Sequence, residues 1–126
     1  MISVLWVALG GAVGSMARFG VNMAAPRFLG QSFPWATLTV NIVGSLLMGF
    51  LVSFLAEKYA DQPDLRLFLL TGVLGGFTTF SAFSLDVLNL VQRGEAAMAF
   101  VYAMASVLLS IIAVFAGFMM SRALVA

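Results

Sequence analysis

The sequence predicts an all-α membrane protein with four transmembrane helices, and three observations carry that reading. Hydrophobic residues make up 63% of the 126 and charged residues only 9%. A soluble domain carries about a quarter charged residues, so this chain lacks the polar groups to cover a surface in water. Mean hydropathy is +1.11. Finally, four stretches reach the roughly 20 mostly apolar residues that a bilayer core demands of a helix, with three short polar connections between them. Residues 1–126 therefore read as a single four-span transmembrane domain, with no length left for a soluble module, no linker and no internal repeat.

The first span is predicted over Ile2 to Met23, stopping near Pro26-Arg27. It begins at Met1 with no basic segment ahead of it, which points to a retained helix rather than a cleaved leader. The second is predicted over Trp35 to Ala56, opened by Pro34 and closed by Glu57-Lys58-Tyr59. EKYADQPDLR is the most polar connection, with Pro63 as its stop signal. The third span runs over Leu65 to Val91, and Arg93-Gly94-Glu95 turns the chain into the fourth, Ala96 to Ser121. Small residues recur at helix-packing spacing in Gly10 and Gly14, Ser45 and Gly49, and Gly72 and Gly76, where they let backbones approach closely in lipid.

Composition removes whole classes of chemistry. With no Cys and no His, disulfides, thiolate chemistry, haem ligation and the usual zinc sites are out of reach. Net charge is +1 with no basic tract, which gives no footing for nucleic acid. The placement of Lys and Arg normally sets orientation. Lys58, Arg66 and Arg122 fall on the side of the N-terminus, and Arg27, Arg93 and Arg18 fall on the other, counting Arg18 with the nearer helix end. Three against three predicts insertion in both senses, and two oppositely oriented copies could pair about an axis in the membrane plane. The alternative is that the placement of Arg18 hides a real bias.

GGFTTFSAFS, residues 75–84, predicts that the third helix is broken over Gly75–Ser81. Non-helical backbone at membrane depth is tolerated only where protein buries it or a cavity receives it. Gly75 and Gly76 lower helix propensity and permit unusual dihedrals, while Thr78, Thr79 and Ser81 offer hydroxyls to freed backbone groups. Carbonyls left open at the negative end of the first half-helix suit a hard cation, as in broken-helix transporters. A glycine kink healed by hydroxyls, with no ion, is the plain alternative. Phe80 and Phe83 share a face with Phe77. Such a stripe is ordinarily packing, but ring edges are positive and can meet an anion without a fixed charge to trap it.

Two polar lines accompany the break. Thr37, Asn41 and Ser45 are four apart on the second span, and Tyr102, Ser106 and Ser110 are four apart on the fourth. The Asn41 amide either staples helices or serves a solute. Together the lines resemble a narrow path of neutral donors. Arg18, inside the first span, either snorkels to the interface or makes a mouth attractive to anions. Asp86 is the only acidic residue well inside a span, and it either pairs with a base or faces a watery vestibule.

GAVGSMARFG (11–20), TLTVNIVGSLLMG (37–49) and GVLGGFTTFSAFS (72–84) resemble the signature segments of the Fluc fluoride channels, also called CrcB-like proteins. The similarity runs through all four spans. It implies a bacterial inner-membrane protein, an antiparallel dual-topology homodimer whose two pores export fluoride passively, and no enzyme activity. By that resemblance Phe80 and Phe83 line the pores with Thr79 and Ser81 beside them, and Asn41 donates to the ion. Tyr102, Ser106 and Ser110 form a polar track, and Arg18 flanks the vestibule. A structural sodium ion sits at the dimer centre on the backbone carbonyls of Gly75 and Thr78. A small multidrug-type proton-coupled antiporter is disfavoured, because the first span holds no Asp or Glu. A non-transporting membrane scaffold would leave the polar lines without purpose.

Overall fold

The computed structural model describes residues 2–125, and the described residues form helices joined by short turns, with no strand. Helix α1 is Ile2–Leu29, and α2 is Trp35–Lys58. Helix α3, residues 63–77, begins as an α-turn over Pro63–Arg66, widens to a π-helix over Leu67–Leu74 and closes with the α-turn Gly75–Phe77. After a two-residue break come α4, Phe80–Gln92, and α5, Ala96–Val125. The four spans Ile2–Leu29, Trp35–Lys58, Pro63–Gln92 and Ala96–Val125 are each long and apolar enough to cross a bilayer.

Two helix ends differ from expectation for a common reason. Pro26 lies inside α1 instead of ending it. The stop is Gly30, whose φ of +84° is the left-handed cap that glycine adopts without a Cβ penalty, and whose N–H bonds the Pro26 carbonyl at 3.2 Å. Pro63, read as a stop, instead occupies the first turn of α3, where a missing N–H costs nothing and φ is already helical. At both positions proline is compatible with the helix that contains it.

Glycines fix how the helices cross. A Cβ on Gly10 would collide with the Phe68 carbonyl oxygen and one on Gly14 with that of Val73, while one on Gly76 would stand 2.7 Å from the Gly11 carbonyl oxygen. Helix α1 thus lies against α3 with backbone nearly touching backbone. A second seam joins α2 to α5, where Cβ atoms on Gly49 and Gly117 would strike the carbonyl oxygens of Val114 and Leu46. Two helix pairs, each locked by small residues, frame the break between them.

Candidate anion pathway

The break is shorter than Gly75–Ser81. Gly75 is helical at φ −62° and the helix runs through Phe77; only Thr78 and Thr79 are extended, and α4 starts at Phe80. No glycine in this stretch has a positive φ. Gly76 therefore serves close approach to α1 rather than unusual dihedrals. Of the hydroxyls, that of Thr79 acts on freed backbone, while that of Thr78 doubles the bond its own N–H gives the Leu74 carbonyl at 3.0 Å. Thr78 donates Oγ1–H to the Leu74 carbonyl at 3.0 Å, and Thr79 Oγ1 caps α4 by accepting from Ala82 N–H at 3.1 Å.

Asn41 meets the break with both ends of its amide. Its Nδ2 donates to the Thr79 carbonyl at 3.0 Å, and its Oδ1 accepts the Thr79 N–H at 2.8 Å. The Oδ1 thus replaces the acceptor a continuous helix would have given the Thr79 N–H, and the Nδ2 adds a second donor to the carbonyl that begins α4. One of the two Nδ2 hydrogens stays free by valence. Arg18 reaches the same region, with Nε–H donating to the Gly76 carbonyl at 3.0 Å. It sits about three turns before the end of the lengthened α1, so it caps the negative end of the first half-helix at membrane depth. Among the described residues no donor reaches the carbonyl oxygens of Gly75 and Thr78.

Beside the break opens a cavity of about 400 Å³ lined by Asn41, Ser45, Phe80, Phe83, Ser106 and Ser110, with Thr78 and Thr79. Helix α2 contributes Asn41 and Ser45, and α5 contributes Ser106 and Ser110, so two members of each polar line face one space, while Thr37 and Tyr102 do not line it. The Phe80 and Phe83 rings are 5.4 Å apart and inclined at 48°. Phe80 remains 76% exposed in the single chain. Ser106 and Ser110 hold buried hydroxyls without a hydrogen-bond partner, a costly state unless something else uses them. Ser81 does not line the cavity, and its hydroxyl lies 3.4 Å from Thr79 Oγ1.

Tyr102 is set apart from that cavity. It is fully buried, and its hydroxyl donates to Asp86 Oδ2 at 2.9 Å. Sequence reasoning placed Tyr102 in the line but did not find this partner, although Asp86 is the one carboxylate within the span. It also missed Gly117, which the four-residue spacing of Ala113, Gly117 and Ser121 would have revealed.

The chain matches the family described as CrcB-like protein, Camphor Resistance (CrcB), over residues 5–118. It belongs to the CrcB-like family. It is similar to proteins named fluoride-specific ion channel FluC from Rhizobium etli, at 52% identity over 99% of this chain and 100% of that protein. Those from Agrobacterium fabrum, at 51% over 97% and 98%, and Rhizobium johnstonii, at 51% over 98% and 99%, are similar too. A CrcB-like chain with four such spans is a multi-pass integral membrane protein.

Proposed function

We propose that this protein is a fluoride-selective channel of the bacterial inner membrane, through which fluoride leaves the cell passively with no bond made or broken. The observation that carries the reading is the convergence of Ser106 and Ser110, whose hydroxyls have no partner within the chain, with Phe80, Phe83 and Asn41 on one cavity. A small, strongly hydrated anion pays heavily for losing water unless donors replace it. Neutral hydroxyls, an amide hydrogen and positive ring edges can share that load, and none binds so tightly that the ion cannot leave. The relatives named as fluoride-specific channels support the identity of the ion.

The working unit is an antiparallel dimer with two pores. Its support is the incomplete state of the site in one chain: the Phe80 ring projects outward and the cavity lacks a wall. A sodium ion on the axis would be held by the Gly75 and Thr78 carbonyls of both copies. Their lack of donors fits a hard cation that prefers oxygen, and among the described residues no group of carboxylates or other metal-ligating side chains competes for that role. What the chain does there without any ion is fixed by its own contacts: Asn41 holds Thr79 and Arg18 caps the Gly76 carbonyl.

The test is efflux from proteoliposomes loaded with fluoride or with chloride, with a potassium ionophore and no proton gradient. The channel reading expects rapid release of fluoride and retention of chloride. Retained fluoride, or release that needs a proton gradient, would overturn it.

A further inference from the structure

A second cavity, of about 230 Å³, lies beyond the first and is lined by residues 30–36 together with Asp86, Asn89, Leu90 and Arg93. Helices α2 and α4 run past both cavities. Along α2, residues 34–36 face the outer cavity and Asn41 to Met48 the inner one, with buried Thr37 and Leu38 between. Along α4, Phe80 and Phe83 face the inner cavity, and Asp86 and Asn89 the outer, with Arg93 just past its end. At the level between them α5 supplies Tyr102, one residue of a tight cluster with Leu38, Leu90 and Ala99. A ring from each cavity flanks the phenol: Phe83 at 5.3 Å and Phe33, edge-on, at 5.4 Å.

We infer that Tyr102 is the partition between the two cavities and that Asp86 is the positioning residue that latches it. The inference rests on the channel reading and specifies where within that channel passage is controlled. An anion at Ser106 meets a phenol whose proton is turned away, toward Asp86 Oδ2. A hydrogen bond to a carboxylate is about twice as strong as a neutral one, so the phenol does not readily give its proton to the ion. The carboxylate that holds it also repels the ion's charge. The Ser106 hydroxyl is free. The other charged group on the outer cavity is Arg93, already bonded to Glu95 at 3.1 Å and to the Ser32 carbonyl at 2.9 Å. For an ion to pass, the Tyr102 hydroxyl must swing from Asp86 to the ion and back.

Single-channel fluoride currents in planar bilayers test this in a four-way comparison of wild type, Asp86→Asn, Tyr102→Phe and the double variant. Asparagine keeps an acceptor of the same shape but loses the charge, so Asp86→Asn is expected to raise current at least threefold. In the Tyr102→Phe background, where nothing can be latched, the same change should alter current by less than 1.5-fold. Asp86→Glu, which restores a carboxylate, should stay within twofold of wild type. Unchanged or reduced current in Asp86→Asn overturns the latch, because a merely structural tie between α4 and α5 survives that substitution. An equal rise in both backgrounds overturns it too, since the charge would then act on the ion without Tyr102. Should Asp86→Asn fail to assemble, the small neutral Asp86→Ser is read in its place against the same thresholds. A wild type that carries no fluoride current would instead remove the channel reading itself, an outcome distinct from an active wild type indifferent to Asp86.

Discussion

Asn41 commits an acceptor and a donor to the backbone of one residue, Thr79, and that geometry separates its two possible roles. Leucine at this position keeps the volume but withdraws the amide from the Thr79 N–H and C=O. The Thr79 C=O still accepts the first backbone bond of α4, so only the N–H is orphaned, and Asn41→Leu should lower stability by roughly 1–3 kcal/mol. Chemical unfolding in detergent, followed by Trp fluorescence, measures it; a loss below about 1 kcal/mol would refute the staple. The Phe pair makes the complementary prediction. Neither ring makes a hydrogen bond, and Phe80 is mostly exposed in the single chain, so Phe80→Ile should cost the chain little stability, whereas Phe83→Ile also loses its packing on the Tyr102 ring. Fluoride flux should nevertheless fall at least tenfold, because an aliphatic side chain has no positive edge. Near-normal flux from both Phe80→Ile and Phe83→Ile would dispose of the ring-edge contact. The two experiments thus divide the site into residues that shape the break and residues that meet the ion.

Between helices, glycine has two separable duties. Gly14 and Gly117 have ordinary helical backbones, yet a Cβ on either would run into a carbonyl oxygen of the facing helix. Alanine there must push the pair apart, and overpacking of this kind costs about 1–3 kcal/mol or more. Gly30 is the opposite case, with open space around it but a φ of +84°. Alanine at Gly30 should cost about 1 kcal/mol, from backbone strain alone. Thermal unfolding in detergent should therefore rank Gly14→Ala and Gly117→Ala below Gly30→Ala; the reverse order would mean that the seams tolerate widening. The same contrast explains what could be read from the sequence. Gly10, Gly14, Gly72 and Gly76 announced the α1–α3 seam because spacing by four survives in a one-dimensional string. All four spans were legible from apolar length, and the cavity lining from two lines spaced by four. What the string does not encode is which long-range partner a polar group finds. That Arg18 caps Gly76 and that Asn41 holds Thr79 depend on contacts 58 and 38 residues apart, and the π-widening of Leu67–Leu74 depends on the packing around it.

For the molecule as a whole, the structure alters the count that bears on orientation. Arg18 is bonded at the break in mid-span, not near a helix end, so it belongs to neither side. Lys58, Arg66 and Arg122 then face Arg27 and Arg93, three against two. Orientation follows the Lys and Arg bias in short loops, and a difference of one charge predicts that both insertions are populated. The chain contains no cysteine, which makes the test clean. Gln31→Cys lies in the α1–α2 connection and Asp61→Cys in the α2–α3 connection, both exposed and on opposite faces of the membrane. In intact cells an impermeant thiol reagent should label each single-cysteine variant to roughly half of the extent reached after permeabilisation. Adding two lysines to the 30–34 connection turns three against two into three against four. That reversal should raise labelling at position 61 and lower it at position 31, because the more basic side moves to the cytoplasm. If position 31 or position 61 alone is labelled before any lysine is added, every copy shares one orientation. An antiparallel pair, with the second wall it gives the Phe80 cavity, is then ruled out.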